Sequence, residues 1–147
     1  MRVVIADDHP HYRRALGRML RASGVDVVAE VCNGAAAVSA VAVTGADAVL
    51  MDIHMPGMSG AEAARTIARR SPDAAVVMLS VFGEEPEVAD ALAWGANGYV
   101  LKDRPVAEIV AAISAAASGK PAPAPALLHR FRGSARVDGR PGVLAES

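Results

Sequence analysis

Five short apolar runs dominate the first hundred residues: Val3-Val4-Ile5-Ala6, residues 25–29 with Asp26 interrupting, Ala48-Val49-Leu50-Met51, residues 75–79, and Tyr99-Val100-Leu101. Each is too short for a helix and draws on residues that fit a pleated, buried strand. Segments of helical period lie after them. In the first, Tyr12, Ala15, Leu16, Met19 and Leu20 follow the i, i+3, i+4 stripe, and Pro10 suits the opening turn. The last repeats the stripe with Val106, Ile109, Val110 and Ile113 until Gly119 stops it. The middle segments, near 35–43, 61–70 and 85–94, are Ala-rich and less sharply patterned. Glu84, Glu85 and Glu87 crowd the start of the last of these, where a helix dipole favours negative charge. Strand–helix alternation repeated five times predicts an α/β fold: a doubly wound, five-stranded parallel sheet with helices on both faces.

Composition bounds what remains. The 147 residues suffice for one domain with a real core plus a remainder. With 52% hydrophobic but only 3% aromatic residues, that core is made of Ala, Val, Leu, Ile and Met. A net charge of -1 excludes a surface built as a nucleic-acid footprint, so any DNA contact belongs to another domain. No run approaches the ~18 apolar residues of a membrane span, and no membrane partner is expected. Cys32 is alone and has no thiol or basic neighbour, so it is a spectator. Met1 leads straight into a strand-like run without a signal peptide, and the expected location is cytoplasmic. After Gly119 the composition shifts. Residues 120–125 form a stiff Pro-Ala linker, Leu127, Leu128 and Phe131 suggest one short helix, and the rest of the tail has no period. The division is 1–119 for the domain and 120–147 for linker and tail.

In open parallel sheets, ligands bind outside the carboxyl ends of the strands, where strand order reverses. The residues at those ends are Asp7 and Asp8, Asp52, Ser80 and Lys102. If strands one and three are neighbours, as in the order 2-1-3-4-5, Asp7, Asp8 and Asp52 converge. Three such carboxylates raise one another's proton affinity unless a cation neutralises them, and an all-oxygen donor set suits Mg²⁺. A transferring phosphoryl group spreads charge over three oxygens, and Mg²⁺, Lys102 and the Ser80 hydroxyl would each meet one. Asp52 would be the nucleophile. Of 15 basic residues only Lys102 and Lys120 are lysines, so Lys102 stands out as a compact point charge in an Arg-using chain.

These residues and their neighbours resemble the receiver domain of two-component response regulators. The matching motifs are Asp7-Asp8-His9-Pro10, the run from Met51-Asp52 through Pro56-Gly57 to Ser59-Gly60, Leu79-Ser80, and the run from Gly95 to Lys102-Asp103. The resemblance covers about residues 1–118 and implies the flavodoxin-like order 2-1-3-4-5. It also implies that Asp52 takes a phosphoryl group from a phosphohistidine of a sensor histidine kinase. Asp8, Asp52 and the His54 backbone carbonyl would hold Mg²⁺, with Asp7 acting through water. Ser80 and Tyr99 would be the switch pair, and His54, Val81 and Phe82 would tune the lifetime of the phosphoaspartate, with Phe82 shielding it from water. Such a protein signals and is not an enzyme beyond its own phosphorylation and dephosphorylation.

Lys102-Asp103 and the Asp-Asp-His-Pro opening resemble the NarL/FixJ subgroup, whose members carry a LuxR-type helix-turn-helix after a linker and dimerise on phosphorylation. No such motif is visible in residues 126–147, so either the output domain is missing or the receiver stands alone. Other readings are weaker. An Asp-nucleophile, Mg²⁺-dependent phosphatase needs a second acid where His54 stands, and a nucleotide-binding domain needs a Gly-rich loop where Ala6-Asp7-Asp8-His9-Pro10 stands. A phosphorylation-independent interaction module predicts a lost acid or lysine, and none is lost. His9 and His11 flank a proline without metal-ligand spacing, which assigns them capping and surface roles.

Overall fold

The computed structural model describes residues 1–82 and 86–119. The linker, the tail and the short helix expected within 120–147, together with Glu84 and Glu85, lie outside the described residues. In chain order the elements are β1 (Arg2–Ala6), α1 (Pro10–Ala22), β2 (Asp26–Val31), α2 (Gly34–Thr44), β3 (Ala48–Asp52), α3 (Gly60–Arg70), β4 (Ala75–Ser80), α4 (Pro86–Trp94), β5 (Gly98–Leu101) and α5 (Val106–Ala117). The strands form one parallel sheet in the order β2-β1-β3-β4-β5.

Side chains alternate across each strand, so the sheet carries two cores. Val4, Ala6, Val49, Met51, Val76 and Met78 face α2, α3 and α4. Val3, Ile5, Leu50, Val77, Leu79 and Val100 face α1 and α5. Both faces of β3 and β4 are buried, which explains why these strands read as unbroken apolar runs. The edge strand β2 keeps Asp26 and Glu30 because one of its sides meets solvent.

The helices begin where capping chemistry allows. Asn33 caps α2 by accepting from Ala36 N at 2.8 Å. Ser59 and Glu62 form a reciprocal capping box at α3. In α1 the expected stripe is rotated: Leu16, Gly17 and Leu20 are buried, whereas Met19 is 43% exposed. Gly17 lies against Glu30 of β2, so the helix settles on the Leu16–Leu20 line and turns Met19 outward. Among the described residues, no helix is long and apolar enough to cross a membrane.

Register positions the strand ends. Ala6 pairs with Met51, so Asp7 and Asp52 follow matched residues on adjacent strands. Asp52 pairs with Leu79, which sets Ser80 one residue further along β4. Ser80 pairs with Leu101, and Lys102 N donates to Ser80 O at 2.9 Å. The chemistry-bearing residues thus share one edge because consecutive parallel strands end together.

Candidate functional site

The loop after β1 is held at several points. Asp7 N extends the ladder to Val31 O at 3.0 Å, and Arg13 donates to the Asp7 carbonyl at 2.6 Å. The Asp7 side chain is fully buried, and its Oδ1 accepts from His9 N at 2.8 Å. Asp8 is half-buried beside it. After β3, Ile53 N donates to Leu79 O at 3.0 Å and Gly60 N returns to Ile53 O at 3.2 Å, which folds the loop back over the strand end. Gly60 is required there, because a Cβ would collide with the Asp52 carbonyl.

Asp52 is almost fully buried, and its Oδ1 accepts from His54 N at 3.3 Å. Lys102 Nζ lies 2.6 Å from Asp7 Oδ2 and 3.4 Å from Asp52 Oδ2. One ammonium therefore serves two carboxylates and leaves the group acid-rich. Burial, and after it the charge of Asp7, raise the Asp52 carboxyl above its ordinary value, while Lys102 and the His54 backbone N–H pull the other way. Asp8 Oδ1 lies 3.2 Å from the His9 ring nitrogen, and Asp52 Oδ2 has the Lys102 ammonium at 3.4 Å and the same ring at 3.7 Å. One carboxylate oxygen each from Asp7, Asp8 and Asp52 lies within 4.8 Å of the others, with a single lysine against three acids, and such an acid-rich oxygen set fits a divalent cation.

Two site residues escaped the sequence reading. His9 is the N-cap of α1, but its ring makes no cap bond. It turns instead into the acid group, with Nδ1 3.0 Å from Asp7 Oδ1, 3.2 Å from Asp8 Oδ1 and 3.7 Å from Asp52 Oδ2. The capping role expected of His9 is therefore replaced by a place in the site, because the residue before a proline is held extended and directs the ring back over the strand end. A histidine between an acid pair and a proline was the available signal. Tyr12 is the other: Lys102 Nζ sits over its ring, and its hydroxyl donates to the Lys102 carbonyl at 3.2 Å.

Ser80 and Tyr99 are both buried. Ser80 Oγ donates to the Phe82 carbonyl at 2.5 Å, and the Tyr99 hydroxyl reaches the same oxygen at 3.4 Å. The side chains of Val81, Phe82 and His54 face solvent.

Residues 3–114 match the response regulator receiver domain family. The chain belongs to this family. It is 38% identical over 142 residues to the Probable transcriptional regulatory protein NarL of Mycobacterium tuberculosis, which covers 96% of this chain and 66% of that protein. Thus the chain spans somewhat less than two thirds of that curated relative. The solved signal receiver domain of M. tuberculosis NarL superposes with a TM-score of 0.76 at 40% identity, over 81% of this chain and 97% of that one. A structure of RcsB dimers bound to DNA gives a TM-score of 0.76 at 26% identity, over 89% of this chain and 67% of that one. This is a signalling receiver of the NarL/LuxR type, with the flavodoxin-like strand order that the motifs implied.

Proposed function

We propose that the receiver accepts a phosphoryl group on Asp52 from the phosphohistidine of a sensor histidine kinase and thereby switches a transcriptional output. The observation that carries this reading is the buried Asp52 carboxylate held between Asp7, Asp8 and the Lys102 ammonium at the carboxyl edge of the sheet. An Asp52 oxygen attacks phosphorus, the P–N bond to the donor imidazole breaks, and the electron pair leaves with that nitrogen. The Lys102 ammonium meets developing charge on one phosphoryl oxygen, and Ser80 Oγ swings from the Phe82 carbonyl to meet another. Asp7, Asp8, Asp52 and the His54 backbone carbonyl would hold Mg²⁺, which when bound neutralises charge on the phosphoryl oxygens.

Ser80 and Tyr99 form the switch pair in this reading. Both engage the Phe82 carbonyl, so a hydroxyl drawn away by the phosphoryl group changes what Tyr99 and the start of the next segment rest on. His54, Val81 and Phe82 border the site and would set how long the phosphoaspartate survives, with a lifetime longer than seconds. In this reading a homodimer forms on phosphorylation and DNA is met through a separate output domain outside residues 1–147; the RcsB dimers solved on DNA support it. A cytoplasmic location fits this partnership with a sensor kinase.

The test is intact mass after incubation with Mg²⁺ and acetyl phosphate. A gain of about 80 Da on the wild type and none on Asp52→Ala supports the reading. No adduct on either protein favours an interaction module that works without phosphorylation. Sustained turnover of an unrelated phosphomonoester favours a phosphatase.

A further inference from the structure

We infer that Arg13 is a positioning residue: it fixes the peptide between Asp7 and Asp8, and through that peptide it aims the Asp8 carboxylate. The inference rests on the reading of Asp8 as a cation ligand beside a phosphoacceptor, Asp52. The last rung joining the end of β1 to β2 is Asp7 N to Val31 O at 3.0 Å. Past that rung the Asp7 carbonyl takes its hydrogen bond from Arg13 Nη1 at 2.6 Å. A peptide unit is planar, so holding its oxygen also restricts the torsions that lead into Asp8. Asp7 is fixed by burial and by His9 N, but a third of the Asp8 side chain is exposed and its carboxylate meets the exposed ring of His9. Asp8 therefore depends on its backbone for its direction.

The guanidinium is itself built in. The Arg13 side chain is only 14% exposed, and a charge so placed needs a partner. Arg13, Gly17 and Arg21 fall four residues apart on one line of α1, and Glu30 of β2 lies across that line. Glu30 Oε2 is 3.1 Å from Arg21 Nη1, which leaves Oε1 at 3.9 Å from Arg13 Nε. A Cβ at position 17 would come within 2.6 Å of Glu30 Oε2, so the carboxylate rests there because Gly17 has no side chain. Register sets Glu30 opposite Ile5, two residues before Asp7. The edge strand thus braces Arg13 from behind, and Arg13 braces the loop that carries the acids.

The test titrates Mg²⁺ into the isotope-labelled full chain, followed by nuclear magnetic resonance, with intact mass after acetyl phosphate on the same samples. Arg13→Met keeps the stem and removes the donor. The Asp7 carbonyl carbon resonance should move, and Mg²⁺ affinity should fall about tenfold. At saturating Mg²⁺ the phosphorylation rate should return close to that of wild type. Arg13→Lys, which restores a charged donor, should recover most of the affinity, and Glu30→Gln should lose less than Arg13→Met. A merely structural role would lower the melting temperature and leave the Mg²⁺ affinity of the folded chain alone. Unchanged affinity in Arg13→Met, or an unmoved Asp7 carbonyl resonance, overturns the inference, while Mg²⁺ binding and an Asp52 adduct in wild type keep the reading beneath it. If Arg13→Met does not fold, Arg13→Lys and Glu30→Gln carry the same comparison. No saturable Mg²⁺ binding and no adduct in wild type remove both.

Discussion

The Lys102 ammonium lies 4.8 Å above the ring of Tyr12, while the Tyr12 hydroxyl donates to the carbonyl of Lys102 itself. One aromatic residue on α1 thus holds both the backbone and the charged tip of a lysine on the far side of the sheet order. Burial, then the charges of Asp7, Asp52 and Asp103, raise the Tyr12 phenol well above its usual value, so the hydroxyl stays a donor at neutral pH.

That arrangement predicts a split between two variants. Tyr12→Phe keeps the ring under the ammonium and loses one hydrogen bond, a stability cost of about 1 kcal/mol with near-normal phosphorylation. Tyr12→Leu also loses a cation–π contact of about 0.5–2 kcal/mol and releases the Lys102 tip. Phosphorylation of Asp52 by acetyl phosphate should then slow several-fold in Tyr12→Leu only. Equal rates in the two variants would show that the ring does not position Lys102.

Asp52 has a raised carboxyl pKa in the fold, so between the unfolded value and the folded one the native state binds more protons than the unfolded chain. Its contribution to stability is present below the unfolded pKa and is lost as pH rises through the folded one. In metal-free buffer, wild type should lose stability over that rise, and Asp52→Asn should flatten it. At neutral pH the variant should melt a few degrees higher, at ~4 °C per kcal/mol relieved. Thermal unfolding in chelator, followed by circular dichroism across pH, measures both effects.

Two glycines should answer Ala substitution in opposite ways. At Gly60 the new methyl meets the Asp52 carbonyl, the Ile53 Cα at 2.9 Å and the Met78 Cε at 2.9 Å, mostly backbone that cannot yield. Gly60→Ala should destabilise by ~1–3 kcal/mol or more and disturb the acid group. Gly17 sits within α1 facing only the movable ends of Glu30 and Arg21. Gly17→Ala recovers up to ~1 kcal/mol of helix propensity and should be near neutral. Urea unfolding curves distinguish the two.

Ser59→Ala removes the hydroxyl that accepts from Glu62 N at 3.1 Å and ends the capping box. The expected loss is ~1 kcal/mol, read from the shift in urea midpoint. Ser59→Asp, which retains an acceptor at that position, should recover most of it.

The strands were legible because buried parallel strands are short and continuously apolar, and the start of α1 and the end of α5 because Pro10 and Gly119 mark them chemically. Asp7, Asp8, Asp52 and Lys102 were legible from strand-end position alone once the order of strands was supplied by resemblance. Other features were not. Tyr12 and Lys102 are 90 residues apart, and no local pattern says that a ring on one helix lies beneath a side chain after the fifth strand. The direction of the His9 ring depends on a pre-proline backbone torsion together with the adjacency of β1 and β3. Met19 fitted the stripe by spacing, but Gly17 against Glu30 rotated the helix by its own close approach. Composition also blurred α2, whose alanines satisfy a buried and an exposed face alike.

The imbalance of three carboxylates against the single Lys102 ammonium sets an order of arrival. A phosphodonor is an anion, and three carboxylates meet its approach with a repulsive field. On the proposed function, a divalent ion seated among Asp7, Asp8 and Asp52 would reverse that field, so the ion would come before the donor.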